Sequence, residues 1–154
     1  MKSKLNQNHT LTIIIYTHGT EKETSKMKAI ICKNAVGSIG DKGRLLWHCR
    51  EELRHFASLT AGSTLLVGYN TYQQLPILKN RTVRTDKRDG FFEDLHLIDW
   101  CIGGAKTYDK YAHLFTELHI STIVNDYQAG DTMMPKLLNL NPECRIFNYE
   151  FTIQ

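Results

Sequence analysis

The sequence contains no closely spaced pair of cysteines or histidines. Its four cysteines include no Cys-x-x-Cys pair, and its seven histidines include no His-x-x-x-His motif. Such pairs are typical of zinc sites and of the disulfide frameworks of small secreted proteins. We therefore expect no metal site and no disulfide framework, and a reducing, cytoplasmic compartment is the better interpretation.

Long apolar runs and a strong excess of one charge are also missing. The apolar segment at residues 11–16 is too short to span a membrane and is not followed by the small-residue cleavage site of a signal peptide. The net charge is only +3, and no basic stripe alternates with aromatic residues. We expect neither a membrane nor a nucleic acid as a partner. The basic cluster at residues 81–88 is typical of a solvated loop, although a ligand that carries phosphate could use it.

The composition suits one globular domain of the α/β class. With 154 residues, 42% of them hydrophobic and 23% charged, the chain is long enough to bury a core. Apolar segments alternate with amphipathic ones, which indicates an open, mostly parallel sheet flanked by helices, with ligands at the carboxyl ends of the strands. We expect residues 1–26 to be an N-terminal extension and residues 27–154 to be the domain. The pattern predicts strands at 11–16, 28–33, 63–67, 97–102, 118–124 and 144–153, a short strand at 82–85, and helices at 50–60, 72–75 and 105–114.

Glu52 is the clearest candidate for a functional side chain. The apolar residues Leu53 and Phe56 recur at helical spacing, and Glu52 emerges one turn before Phe56, beside the apolar face. A carboxylate in apolar surroundings is costly to bury unless something pairs with it. We interpret this partner as a ligand. The alternative is a solvated glutamate at the border of an amphipathic helix, which is the commoner situation for a charged residue.

Two strand ends run into glycine turns that open onto helices. Gly68 follows the predicted strand at 63–67, and Gly103–Gly104 follows the one at 97–102. A turn of this kind presents backbone amides to an anion such as a phosphate or pyrophosphate. One Gly-Gly pair is more often only a tight turn. Two such turns in one small α/β chain favour a nucleotide site.

Taken together and in order, these segments resemble dihydrofolate reductase. The resemblance spans about residues 27–151 and implies the fold of that family, a single domain that acts as a monomer. It implies that a hydride passes from C4 of NADPH to C6 of 7,8-dihydrofolate while N5 of the pterin gains a proton. The motifs that carry it are Ile39-Gly40, Leu46-Trp47, Glu52-Leu53 through Phe56, Val67-Gly68 with Thr71, Ile102-Gly103-Gly104 with Tyr108, and Gly130-Asp131-Thr132 with Pro135.

The resemblance assigns the substrate half of the site. Glu52 matches the acid that accepts two hydrogen bonds from the pterin ring, and its apolar surroundings predict a raised pKa. Ser121 falls where the family usually has a threonine hydroxyl that supports this acid, and Arg81 is the candidate for binding the α-carboxylate of folate. The remaining substrate-binding residues implied are Ile30, Leu53, Phe56, Leu78 and Ile102.

The resemblance also assigns residues to the cofactor half of the site. The Gly103–Gly104 peptide, typically cis in the family, matches the pyrophosphate turn. Ile39, Gly40 and Trp47 match the loop that closes over nicotinamide and excludes water, and Asp131 matches the residue that holds this loop shut. The cofactor-binding residues implied are Cys32, Ile39, Gly40, Asn70, Thr71, Gly103, Gly104, Ala105, Lys106 and Thr107.

The sequence departs from the family at three places. Tyr69 stands where many members have a basic residue for the 2′-phosphate, a role that Lys87 or Arg88 could take. The region between residues 84 and 97 is short. The chain also has one strand after Pro135 where the family has two, and residues 11–16 have the character to fill that place. In that case deletion of residues 1–17 should unfold the protein, whereas the alternative is a dispensable tail.

Two other functions remain open. A pyrimidine reductase of riboflavin synthesis shares the architecture, although Trp47, Glu52 and Phe56 argue against it. The other is a non-catalytic protein that binds a pteridine or a nucleotide as a structural component. Turnover that requires both NADPH and dihydrofolate separates the reductase from both alternatives.

Overall fold

The computed structural model describes residues 14–15, 21–23, 26–42, 48–85 and 95–154. The prediction for Trp47 and those for Lys87 and Arg88 lie outside these residues. The elements described are β1 (Ile14–Ile15), β2 (Glu21–Glu23), β3 (Lys28–Asn34), β4 (Ser38–Gly40), α1 (Arg50–Thr60), β5 (Thr64–Val67), α2 (Tyr69–Tyr72), β6 (Thr82–Thr85), β7 (Trp100–Cys101), α3 (Ala105–Tyr111), β8 (Glu117–Ile123), β9 (Thr132–Met133) and β10 (Arg145–Phe151).

Six strands form one central sheet in the order β10-β8-β3-β7-β5-β6, and every pair is parallel. The inner strands are buried on both faces, which explains their continuous apolar sequences. Helix α1 packs on one face through Phe56 and Leu59, against Ile30 and Trp100. Helix α3 belongs to the larger core cluster on the other face. The predicted α/β fold with a mostly parallel sheet is therefore confirmed.

Several predicted elements have different bounds in the structure; the helix expected at 105–114, for example, is Ala105–Tyr111. Two of the differences bear on the site. The strand expected at 97–102 is only Trp100–Cys101, because residues 95–97 form a 3₁₀ turn before it. The helix expected at 72–75 instead occupies Tyr69–Tyr72, since it begins directly after Gly68. The glycine turn thus leads into α2 without an intervening loop.

Two short strands lie in segments that were expected to be loops. β4 and β9 pair antiparallel, with Ser38 opposite Met133 and Gly40 opposite Thr132. They have only three and two residues, which is too short to show strand periodicity in the sequence. Their pairing fixes the segment after β3 beside the segment after β8.

The N-terminal strands form a separate two-stranded sheet. Ile14–Ile15 pair antiparallel with Glu21–Glu23. Within the described part of the chain, this pairing differs from the expectation that residues 11–16 complete the central sheet beside its last strand. The division between an extension at 1–26 and a domain at 27–154 stays a prediction.

The edge strand β10 is joined to the sheet by aromatic side chains and a buried histidine. The ring of His119 on β8 stacks on Phe147 at 4.5 Å between centroids. Its two nitrogens lie 2.8 Å from the hydroxyl oxygen of Tyr149 and 2.9 Å from a carboxylate oxygen of Glu117. The polar atoms of this buried ring are thus satisfied.

No helix among the described residues is long and apolar enough to cross a membrane.

Candidate active site

A cavity of about 1280 Å³ opens beside the carboxyl ends of β5 and β7 and is flanked by the three helices. Apolar side chains from β3 and α1 line one part, and polar groups from α2 and α3 line the other. The lining residues are Ile30, Ile31, Cys32, Ile39, Gly40, Glu52, Leu53, Phe56, Ala57, Gly68, Tyr69, Asn70, Thr71, Gln74, Leu75, Pro76, Leu78, Arg81, Ile102, Gly104, Ala105, Lys106, Thr107, Tyr108, Lys110 and Thr132.

Glu52 lies in the apolar part of this cavity. Its side chain is 6% exposed, and burial raises its pKa from 4.5 to about 7, an effect that a hydrogen bond from the Cys32 thiol partly offsets. Glu52 is the only carboxylate among the described residues that line the cavity, and no cationic side chain in the described structure forms an ion pair with it. The predicted raised pKa is confirmed.

The glycine turns approach each other closely. The Gly68 amide donates a hydrogen bond to the Gly103 carbonyl at 2.6 Å, and the Gly103–Gly104 peptide is cis, as expected. A Cβ atom at Gly104 would lie 3.0 Å from the hydroxyl oxygen of Thr71, and one at Gly68 would collide with that of Thr107. Side chains at these positions would fill the space between α2 and α3, so glycine keeps this space open.

Tyr108 connects the glycine turn to the apolar part of the cavity. Its hydroxyl donates to the Ile30 carbonyl at 2.6 Å, and its ring atoms lie about 3.0 Å from the position that a Cβ atom at Gly103 would take. Burial raises the pKa of Tyr108 well above its usual range, so the phenol keeps its proton and remains a donor. One side chain thus sets the spacing of α3 from β3.

The loop after β4 is held to the segment before β9. The backbone amide of Lys42 donates to both carboxylate oxygens of Asp131 at 3.1 Å, and the Asp131 amide donates to Asp41 at 3.0 Å. Hydrogen bonds from the Thr132 hydroxyl and the Lys42 amide lower the pKa of Asp131. This contact agrees with the role expected for Asp131, and it keeps Ile39 and Gly40 at the cavity wall.

The structure brings most of the predicted site residues to this cavity, but not all. Gly103 does not line it and instead supports Gly68. Ser121 is fully buried in β8, and its hydroxyl has no hydrogen-bond partner among the described residues, so it does not support the Glu52 carboxylate as expected. The register explains this, because Ser121 lies opposite Cys32, and the thiol of Cys32 takes the carboxylate. Cys32, which the resemblance assigns to the cofactor half, therefore also contacts the acid of the substrate half.

Several lining residues were not predicted. Lys110 follows Lys106 by four residues on α3, so the helical period places both on the same side, and this spacing was the available signal. Thr132 reaches the cavity only because β9 pairs with β4. Gln74, Leu75 and Pro76 follow α2 directly, and their place depends on where that helix begins.

The structure is a parallel α/β sheet with a glycine turn at the end of a strand and a buried acid in the cavity beside it. Open α/β sheets of this class bind ligands at the carboxyl ends of their strands. The family model described as dihydrofolate reductase matches residues 26–98. A putative dihydrofolate reductase of Caenorhabditis elegans is 24% identical over 141 residues, covering 68% of this chain and 75% of that protein. Dihydrofolate reductase of Ureaplasma parvum is 26% identical over 131 residues, covering 70% of this chain and 81% of that protein.

The fold has a solved counterpart. Dihydrofolate reductase from Enterococcus faecalis, complexed with NADP(H) and RAB-propyl, superposes with a TM-score of 0.59 over 71% of this chain and 77% of that one, at 21% identity. The chain is thus similar to dihydrofolate reductases in sequence over residues 26–98, and in fold to a solved member of that group.

Proposed function

We propose that this protein catalyses the NADPH-dependent reduction of 7,8-dihydrofolate to 5,6,7,8-tetrahydrofolate. The observation that carries the proposal is the single buried carboxylate of Glu52 in a cavity that three cations, Arg81, Lys106 and Lys110, also line. The carboxylate suits a ligand group that donates hydrogen bonds, and the three cations suit ligand groups that are anionic. A pterin with a carboxylate tail and a nucleotide with phosphates have these properties, and the names of the relatives agree with them.

Glu52 would bind and orient the pterin ring. The ring presents an N–H and an amino group side by side, and an ionised carboxylate accepts both in a bidentate, charge-assisted contact. Leu53 and Phe56 on the same helix would pack against the flat ring. The reduction also requires a proton at N5, and a carboxyl group with a pKa of about 7 holds a proton in part of the molecules at neutral pH.

The residues on the other side of the cavity fit NADPH. The space that a side chain at Gly104 would fill lies beside the hydroxyl of Thr71, and the ammonium of Lys106 lies on the same wall. Glycine backbone, a hydroxyl and a cation are suitable partners for a pyrophosphate. NADPH, when bound, supplies the hydride for C6 of the pterin. Ile39 and Gly40 would cover this half of the cavity and exclude water.

Arg81 is a suitable partner for the α-carboxylate of folate. Its Nε donates to the Lys79 carbonyl at 3.0 Å and one terminal nitrogen donates to the Thr60 hydroxyl at 3.1 Å, while the guanidinium lies 5.8 Å from the ring centre of Phe56. These contacts hold the side chain and use only part of its five donors. The donors that remain suit a bidentate contact with a carboxylate.

The role of Trp47 in catalysis stays a prediction. We also propose that the protein acts in the cytoplasm as a monomer, on small molecules and without nucleic acid. The free state of all four cysteines supports a reducing compartment.

The decisive experiment follows the loss of NADPH absorbance with purified protein. We expect oxidation that requires both NADPH and dihydrofolate. Binding of either ligand without turnover would instead support a non-catalytic pteridine- or nucleotide-binding protein. Turnover with an aminopyrimidine of riboflavin synthesis, but not with dihydrofolate, would support the pyrimidine reductase.

A further inference from the structure

Asn34, the last residue of β3, is a fully buried polar side chain that lies outside the cavity. Its amide nitrogen donates to a carboxylate oxygen of Asp126 at 2.9 Å and to the Gln128 carbonyl at 2.7 Å. Its amide oxygen accepts from the backbone amides of Val36 at 3.2 Å and Ser38 at 2.9 Å. Both donors and both acceptor positions of the amide are therefore used.

The partner carboxylate is itself held in place. The side-chain amide of Gln128 donates to the second oxygen of Asp126 at 2.9 Å, and the Ala35 amide donates to the Asp126 carbonyl at 2.9 Å. Although burial opposes ionisation, hydrogen bonds from the side chains of Gln128 and Asn34 and from the Gln128 backbone hold the pKa of Asp126 below its usual range. The contact with Asn34 is thus a charge-assisted hydrogen bond, which is stronger than a neutral one.

The network joins the two segments that meet at the cofactor side of the cavity. Ser38, which Asn34 binds, accepts a hydrogen bond from the Gly130 amide at 3.1 Å and donates to the Thr132 carbonyl at 3.3 Å. A Cβ atom at Gly130 would collide with the carbonyl oxygen of Gly40. Ser38 and Gly40 are the ends of β4, and Ile39 between them lines the cavity.

We infer that Asn34 is a positioning residue that, with Asp126, fixes the loop at residues 35–42 in its place over the cofactor half of the cavity. If this loop moved, the hydrogen bonds from the Val36 and Ser38 amides to the buried amide oxygen of Asn34 would break together, and that oxygen would carry a desolvation penalty. The network therefore favours this position of the loop. The inference rests on the proposed reductase function for its catalytic consequence, but not for the position of the loop.

The test compares Asn34→Ala with a matched control, Asn141→Ala. Asn141 also bridges two segments, because its amide nitrogen donates to the Phe115 carbonyl at 3.1 Å and its oxygen accepts from the Glu143 amide at 3.1 Å. It does not line the cavity. Asn141→Ala also removes hydrogen bonds that join two segments, so it shows whether a loss of such bonds away from the loop changes kcat.

In Asn34→Ala we expect kcat to fall by about tenfold or more while KM for dihydrofolate stays within about twofold, because the loop covers the cofactor half rather than the pterin half. We expect Asn141→Ala to keep kcat. The second readout needs no turnover. Trypsin should cleave after Lys42 faster in Asn34→Ala than in wild type or in Asn141→Ala, with the site located by mass spectrometry. Unchanged kcat together with an unchanged cleavage rate would overturn the inference.

A rescue experiment tests the charged contact itself. Asn34→Asp keeps the oxygen that binds Val36 and Ser38 but places a second carboxylate against Asp126. We expect this variant to lose more activity than Asn34→Ala. Adding Asp126→Asn restores one donor and one carboxylate with their places exchanged, and it should recover part of both kcat and resistance to trypsin. No recovery in either readout would contradict the proposed contact.

The trypsin measurement keeps the two proposals apart. Suppose that the wild-type protein does not reduce dihydrofolate but that trypsin cleaves Asn34→Ala faster than wild type after Lys42. This result would contradict the proposed function and support the position of the loop. If the wild-type protein reduces dihydrofolate and Asn34→Ala changes neither kcat nor the cleavage rate, the proposed function is supported and the role of Asn34 is contradicted.

Discussion

The thiol of Cys32 on β3 donates a hydrogen bond to the carboxylate of Glu52 on α1. This contact joins the sheet to the helix at the apolar side of the cavity. Burial raises the pKa of Glu52 to about 7, and the thiol acts in the opposite direction because it stabilises the ionised form. The pair therefore sets the pH at which Glu52 loses its proton in the protein without ligand.

Removing the thiol should move this pH upwards. In Cys32→Ala the carboxylate loses a donor, so we expect a further rise in the pKa of Glu52, whereas Cys32→Ser keeps a donor and should stay near wild type. The measurement is the pH dependence of kcat/KM for dihydrofolate. Identical profiles for wild type and Cys32→Ala would show that the thiol has no influence on the acid.

Replacing the acid should remove activity and keep the fold. We expect Glu52→Gln to lower kcat/KM for dihydrofolate by about a hundredfold or more, roughly 3 kcal/mol, because an amide cannot provide the ionised, bidentate contact. The reaction consumes a proton, so wild-type kcat/KM should fall as the pH rises above about 7, where Glu52 no longer holds one. The variant should lack this inflection.

Glu51→Gln is the matched control for this change. Glu51 precedes Glu52 on the same helix but is exposed. It should keep wild-type turnover and the wild-type pH profile. Wild-type turnover in Glu52→Gln at neutral pH would mean that Glu52 has no role in the reaction.

The same substitution should stabilise the protein without ligand at neutral pH. The folded protein holds the Glu52 proton up to a pKa of about 7, whereas the unfolded chain releases it near 4.5. Between these values the native state binds more protons, so its free energy of unfolding falls as the pH rises from about 4.5 to 7 and is constant above that range. The total is about 3 kcal/mol.

Because the variant has no carboxylate at this position, it should not show this decrease. We expect Glu52→Gln to gain stability relative to wild type as the pH rises from about 5 to 7, measured by urea unfolding. A difference between the two proteins that is independent of pH would contradict the burial of this acid in solution.

Substitutions at two glycines should separate cofactor binding from stability. Gly104 has a φ of −81° that alanine can adopt, but its Cβ would crowd the Thr71 hydroxyl and the space proposed for the pyrophosphate. Gly62 has a φ of +72° with open space around it, so alanine there is strained but obstructs nothing. We expect Gly104→Ala to weaken NADPH binding by about tenfold or more with little change in Tm, and Gly62→Ala to lower Tm with unchanged affinity. Titration calorimetry and thermal unfolding measure both, and equal NADPH affinity in the two variants would refute this position for the cofactor.

The sequence predicted the elements whose signal is local. Helix α1 has the expected bounds because its apolar positions follow the helical period without interruption. The strands at 28–34 and 117–123 were close to expectation because continuous apolar runs mark buried parallel strands. β7 was predicted too long, since its length depends on how many residues find partners on β3 and β5, which the sequence does not reveal.

The parts of the site that sequence could not supply depend on contacts between distant segments. The pairing of β4 with β9 and the network around Asn34 join residues about ninety positions apart. Ser121 was expected to support Glu52, but whether a hydroxyl on β8 reaches an acid on α1 is decided by the side chain between them, which is Cys32. An asparagine at the end of an apolar strand was the only signal for the network, and many strands end in this way.

The most direct test of the central claim is a carboxyl NMR titration of Glu52, assigned by comparison with Glu52→Gln, first without ligand and then with bound dihydrofolate. A buried acid that binds the pterin should titrate near pH 7 without ligand, and its signal should shift when dihydrofolate is added. Titration near 4.5 with no response to dihydrofolate would contradict this function for Glu52.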